Sequence, residues 1–145
     1  MYFVDREKIN ELLQFMEQRL QMVDQVIEGR SAFDYLALER IGHTLIETVL
    51  DVGNAMIDGF IMRDPGSYED IVDILLDEKV VDEQLSTVLI QFIAFRKPLV
   101  QQYTEDVSRE LAVFLQENKQ QLATFPECVS TYLINELGPV SAFRN

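Results

Sequence analysis

Residues 5–30 read DREKINELLQFMEQRLQMVDQVIEGR, with apolar side chains at Ile9, Leu13, Met16, Leu20, Val23 and Ile27. The steps alternate between four and three, the spacing of one face of an α-helix. A seam of this kind packs a helix nearly parallel or antiparallel to its neighbours. The pattern predicts a first helix from about Asp5 to Glu28, with Gly29 as its stop.

The next segment repeats the logic at greater length. Ser31 is placed to cap a helix, with Asp34 at the capping-box position. Ala37, Ile41, Leu45, Val49, Val52 and Met56 give that helix a core stripe as far as about Phe60. Arg40, Glu47, Asp51, Asn54 and Asp58 form a second, polar stripe. Gly59 and Arg63-Asp64-Pro65-Gly66 predict a loop. Ser67, with Asp70 three residues on, caps a short third helix whose apolar face is Ile71, Val72, Leu75 and Leu76. Asp82 caps a fourth, with Leu85, Val88, Leu89, Phe92 and Phe95 inward. Pro98 lacks the N–H that the carbonyl of Ala94 needs, so a kink or break is expected just after Arg96. A fifth helix is expected from about Thr104 to Thr124, with Val107, Leu111, Phe114, Leu115 and Leu122 inward. Pro126 opens a last one to about Leu137.

No alternating run reads as a strand. The expected fold is therefore all-α, an antiparallel four-helix, up-and-down bundle with one or two short extra helices. Residues 1–137 form a single helical domain, and 138–145 are a frayed C-terminal tail.

At 145 residues and 48% hydrophobic content the chain suits one domain with a sizeable core. Its one cysteine, Cys128, cannot form an intrachain disulfide, which suits a reducing cytosol. No apolar run reaches the roughly 18–20 residues a membrane helix needs. The start, Met1 to Asp5, lacks a basic stretch followed by an apolar one, so no signal peptide is expected. The chain is thus read as cytoplasmic, with no membrane partner. A net charge of -13 opposes non-specific nucleic-acid binding, so any RNA contact needs a local basic spot.

Phosphate-loop, dinucleotide and nucleophile-elbow motifs are absent. One histidine and one cysteine exclude the usual zinc sites and paired Glu-x-x-His di-iron ligands, so no metal or cofactor is expected. The histidine, His43, lies four residues from both Glu39 and Glu47. A structural histidine satisfied by one of these carboxylates is the plain reading. Glu47 and Asp51, also four apart, read as a polar face or a contact to Arg40.

The most informative stretch is Phe95-Arg96-Lys97-Pro98-Leu99-Val100-Gln101-Gln102-Tyr103. It resembles the HepT branch of the HEPN superfamily, whose segment has the form Phe-Arg-Asn-x-Leu-Val-His-x-Tyr and contains the Arg-x4–6-His signature of HEPN ribonucleases. Phe95, Arg96, Leu99, Val100 and Tyr103 fit in register. Ala37-Leu38-Glu39-Arg40 with Glu47 and Asp51 resembles the family's second helix, and Pro65-Gly66-Ser67-Tyr68 the approach to its third. The resemblance spans roughly residues 1–125. Two positions depart: the family's asparagine is Lys97, and its histidine is Gln101.

The resemblance implies a HEPN-type bundle and a homodimer whose interfacial cleft carries the arginine and histidine of both subunits. It also implies metal-independent RNA cleavage, with a nucleotidyltransferase (MNT) antitoxin that attaches AMP to the tyrosine matching Tyr103. Such cleavage uses the 2′-hydroxyl as nucleophile, a group that exchanges a proton near neutral pH, and a cation for the charged phosphorane. Arg96 suits the cation. Gln101 donates hydrogen bonds but does not titrate. Loss of an acid/base group costs about 10²–10⁴-fold, so activity is expected to be weak or lost. Lys97, with an ordinary pKa of about 10.4, is a poor base. The alternative is a non-catalytic HEPN dimer that binds a nucleotidyltransferase, nucleotide or RNA. Arg40, Glu47 and Asp51 are expected to support the site. Tyr103 is expected to face the same cleft as Arg96 and Gln101; since Gln101 and Tyr103 are about 200° apart on an undistorted helix, either the segment between them is non-helical, which the break at Pro98 favours, or the Tyr103 ring leans over the helix edge.

Overall fold

Asp5 accepts a hydrogen bond from the Lys8 N–H and starts α1 (Arg6–Gly29). In this computed structural model, which describes residues 2–139, six more helices follow. They are α2 (Ala32–Gly59), α3 (Tyr68–Asp77), α4 (Glu83–Ile93), α5 (Arg96–Val100), α6 (Ser108–Leu122) and α7 (Thr124–Leu137). Among the described residues there is no strand. The frayed tail expected for 138–145 lies outside the described residues beyond Pro139.

The first connection is Arg30 and Ser31. Arg30 takes a left-handed conformation, φ 57°, immediately after Gly29. Ser31 and Asp34 then close a reciprocal capping box: Asp34 N–H donates to Ser31 Oγ at 3.1 Å, and Ser31 N–H donates to the Asp34 carboxylate at 3.0 Å. So short a turn sets α1 and α2 antiparallel. The seam of α1 is buried as the periodicity requires, except that Val26 takes the last inward place and Ile27 is half-buried. On α2, Leu38 is buried and Ala37 exposed. The stripe slips there because 3.6 residues per turn do not keep the 37-41-45 steps of four on one line.

α2 is the element on which the others meet; α1, α3, α5 and α6 all pack against it. Gly42 lets α6 come close, since a Cβ there would lie 2.6 Å from Leu111 Cδ2. The core joins Leu45, Val49 and Met56 of α2 to Phe92 of α4, Leu115 of α6 and Phe125 of α7. Phe92 is stacked on Phe114, with ring centroids 5.6 Å apart.

The caps of α3 and α4 form where expected. Ser67 Oγ accepts from Asp70 N–H at 3.0 Å, and Asp82 accepts from Leu85 N–H at 2.8 Å. Asp70 does not return a bond to Ser67; its carboxylate takes Gly66 N–H and the Arg63 guanidinium instead. On α3, Ile74 is buried and Leu76 only half-buried.

The largest departure surrounds Pro98. The chain breaks at Ala94 and Phe95, before Arg96, and turns into α5 with Pro98 as its third residue. N–H groups of a first helical turn have no intrahelical acceptor, so proline there sacrifices no bond. Helical bonding resumes with Leu99 N–H to Phe95 O at 3.1 Å. Residues 101–107 are then non-helical, and the next helix begins at Ser108 rather than near Thr104. Asp106 sets that start by accepting from Ser108 N–H at 2.9 Å. Pro126 repeats the device as the third residue of α7, which continues from α6 through Ala123.

Phe92 has no exposed surface. Phe92→Ala is expected to destabilise the fold by about 3–5 kcal/mol, through lost transfer free energy and a cavity between α4 and α6. Urea denaturation followed by circular dichroism measures this as a lower midpoint with little change in slope.

Candidate functional site

Arg96 opens α5 and reaches back to the middle of α2. Its Nε donates to Glu47 Oε1 at 2.6 Å, and its guanidinium lies over the Tyr68 ring, 4.6 Å from the centroid. A carboxylate on one edge and an aromatic face beneath hold the planar group in one orientation. Among the described residues, no hydrogen bond occupies Nη1 or Nη2 of Arg96. The Arg96 side chain is 20% exposed and Glu47 33%. Glu47 therefore pairs with Arg96 and not with Arg40.

Glu47 Oε1 has a second neighbour. His43, one turn earlier on α2, brings Nε2 within 3.6 Å of it. Of the two carboxylates at four-residue spacing, the imidazole thus meets Glu47. The separation is a contact rather than a closed hydrogen bond.

Arg96 borders a cleft of about 580 Å³ with Lys97, Gln101, Ser67, Tyr68 and Glu69. Arg96, Lys97 and Gln101 are therefore brought together as the motif suggests. Tyr103 is not with them in one chain. It is 76% exposed and lines a second cleft of about 380 Å³ with Tyr35, Leu36, Glu39 and Asp106. The non-helical course of residues 101–107 turns the phenol toward the start of α2. Arg40 and Asp51 are exposed on the polar stripe of α2, on either side of Glu47, and neither hydrogen-bonds Arg96.

Carboxylates dominate the polar face of α2, with Arg40 among them, while Arg96 and Lys97 are the cations at the cleft. Asp51 is exposed as a residue, but partial desolvation of its carboxyl, and secondarily the Glu47 charge, raise it above its ordinary pKa, with Lys8 opposing. Burial and then Asp106 raise Glu39. Among the described residues, no three His, Cys, Asp or Glu side chains gather closely enough to hold a metal.

Two members of this cluster had a signal in the sequence but no assigned role. Tyr68 follows the Pro-Gly-Ser turn and serves as the platform for Arg96. His43 stands four residues before Glu47, but its nearness to Arg96 depends on how α5 packs on α2.

Removing the Glu47 charge tests this electrostatic picture. A carboxyl raised above its ordinary pKa favours folding while protonated and withdraws that stability as pH rises through the folded value. Glu47→Gln should lower the Asp51 pKa toward that of a free aspartate and shrink this loss. Carboxyl carbon shifts followed by NMR across acidic pH report it.

Comparisons with known proteins identify the family and the fold. The family model described as "Ribonuclease HepT-like" matches residues 7–129. The curated Bacillus subtilis (strain 168) protein named "Putative RNase YutE" is 54% identical over 144 residues, 99% of this chain and 100% of that protein. The solved "Structure of Cytosolic Protein of Unknown Function YutE from Bacillus subtilis" superposes with a TM-score of 0.94 at 55% identity, covering 99% of this chain and 100% of that chain. A "Crystal structure of the toxin-antitoxin with AMP-PNP" has a TM-score of 0.73 at 14% identity, over 83% of this chain and 96% of that one, a likeness of fold. With the family model spanning most of its length and a curated relative more than half identical from end to end, this chain belongs to the ribonuclease HepT-like family.

Proposed function

We propose that this protein is a metal-independent endoribonuclease of a bacterial toxin–antitoxin pair, cytoplasmic, acting as a homodimer, with cleavage weakened because Gln101 stands where the motif has histidine. The Arg96 guanidinium carries the reading. Glu47 and Tyr68 hold it, and its Nη1 and Nη2 remain available at the wall of the 580 Å³ cleft. Two parallel N–H donors suit two oxygens of a phosphodiester. They also suit the charge that develops as the 2′-oxygen attacks phosphorus. Lys97, at the same cleft, adds attraction for the phosphate backbone.

Gln101 borders that cleft and has no proton to exchange at neutral pH. This supports weak cleavage and favours, as a second reading, a dimer that binds a nucleotidyltransferase, nucleotide or RNA without cutting. Exposed Phe33, Leu36 and Tyr103 support association between subunits. A two-fold contact would bring two Arg96 side chains together and offset part of the acidic field where RNA must sit. The exposed phenol of Tyr103, in the second cleft at the start of α2, supports the MNT-type nucleotidyltransferase partner, since it is open to an adenylylating enzyme. The cytosolic description of the Bacillus subtilis relative supports the compartment.

Cleavage of a labelled single-stranded RNA by the purified protein tests the site. Arg96→Ala should abolish it. Gln101→His should raise it, within the roughly 10²–10⁴-fold that a placed acid/base group supplies. Cleavage that survives Arg96→Ala, or that Gln101→His leaves unchanged, counts against the assignment. Arg96-dependent RNA binding without cleavage selects the second reading.

Light scattering at tens of micromolar protein should return the mass of a dimer. A monomer mass would remove the homodimer from the proposal.

A further inference from the structure

Metal-free cleavage of RNA needs a group that accepts a proton from the 2′-hydroxyl near neutral pH. Gln101 has none, and the chain has a single histidine. That histidine, His43, lies one turn from Glu47, and its Nε2 and Arg96 Nε approach the same oxygen of that carboxylate, at 3.6 and 2.6 Å. One carboxylate oxygen thus accepts from the guanidinium and lies in contact with the imidazole. His43 is about one-third exposed, so its ring is open to solvent on the α2 side of Arg96.

The arrangement has the parts of a carboxylate–imidazole pair. Glu47 faces Nε2, orients the ring, and stabilises the imidazolium once it forms. Nδ1 makes no hydrogen bond among the described residues. A contact of 3.6 Å without substrate is compatible with this role, because catalytic hydrogen bonds commonly tighten only in the complex.

We propose that His43 is the general base of this site, taking at Nδ1 the 2′-hydroxyl proton that Gln101 cannot take. The proposal rests on the ribonuclease reading above and supplies the proton acceptor that the motif position lacks. In the step, neutral His43 accepts the 2′-hydroxyl proton as the 2′-oxygen bonds to phosphorus. The bond from phosphorus to the 5′-oxygen breaks, and its electron pair leaves with that oxygen. The 5′-oxygen takes a proton from water, and the imidazolium neutralises the hydroxide so formed. The products are a 2′,3′-cyclic phosphate and a 5′-hydroxyl. Arg96 bears on the phosphoryl oxygens throughout.

The charged groups around this turn come from several elements. Glu39, Arg40 and Glu47 flank His43 on α2, and Asp51 lies one turn beyond Glu47. Arg96 arrives from α5. Asp106, ahead of α6, acts on Glu39, and Lys8 of α1 acts on Asp51. Because the base is the neutral imidazole, protonating the ring should switch the step off, so the rate should rise with pH.

Two measurements on the full-length protein decide the matter. The first is the pH–rate profile for RNA cleavage by wild type, His43→Gln and Arg96→Ala, with helicity checked by circular dichroism. The expected result is a rising limb in wild type that His43→Gln removes, with a fall of about 10²-fold or more on the plateau. If Arg96→Ala abolishes cleavage while His43→Gln keeps both rate and limb, His43 is not the base and the ribonuclease reading stands. If wild type cleaves nothing at any pH, both fall. The second measurement needs no variant. As the sole histidine, His43 gives one set of imidazole NMR signals. A 2′-O-methyl RNA dinucleotide, which binds without being cut, should raise its titration midpoint by placing a phosphodiester beside the ring. A midpoint unmoved by saturating dinucleotide overturns the proposal.

Discussion

Glu47 Oε1 accepts from Arg96 Nε across the contact between α2 and α5, and the arrangement of the site depends on that bond. It joins residues 49 apart in sequence. Its net contribution to stability is modest, on the order of 1 kcal/mol for a partly buried charge-assisted pair. Its effect on geometry is larger. With Nε engaged and Tyr68 beneath the plane, the guanidinium keeps one edge toward α2 and its other nitrogens available to the cleft. The same oxygen lies against His43, so one carboxylate organises both a cation and a titratable ring.

That bond requires α5 to start where it does. Had α4 continued through residue 96, the arginine would have followed the helical progression of Phe92 and Ile93. The break at Ala94–Phe95 resets the direction of the chain, and Pro98 makes the reset obligatory, because a continuous helix would drive its ring against the Ala94 carbonyl. The consequence extends downstream. α5 ends after five residues, residues 101–107 run without helix, and Tyr103 emerges at the start of α2, away from Arg96.

For the proposed ribonuclease, an acidic protein would meet an anionic substrate. Here the net charge is -13, and carboxylates crowd the polar face of α2. Partial burial, with the Glu47 charge beside Asp51 and the Asp106 charge beside Glu39, raises both carboxyls above their ordinary pKa values. Arg96 and Lys97 interrupt the acidic surface together at one cleft. Selectivity for a phosphate placed at that cleft, rather than general affinity for nucleic acid, is what such a distribution favours.

The helical seams, the caps at Ser31, Ser67 and Asp82, and the all-α class were legible in the sequence, because a repeat of 3.6 and a side-chain cap are local properties of a few residues. The register of Phe95, Arg96, Leu99, Val100 and Tyr103 made the family legible for a similar reason, since it needs only order and spacing. Local periodicity erred by one position where a stripe drifts around its helix, at Ala37 against Leu38 and at Ile27 against Val26. It also misplaced the break near Pro98, because proline forbids a helix through residue 94 without saying where the chain turns. The pairing of Glu47 with Arg96 rather than Arg40, the Tyr68 platform, the nearness of His43 and the separation of Tyr103 from Arg96 were decided by the tertiary structure. Each depends on how far α5 and α3 sit from α2, a distance set by core packing around Leu45, Phe92 and Leu111, and no local pattern in the chain encodes it.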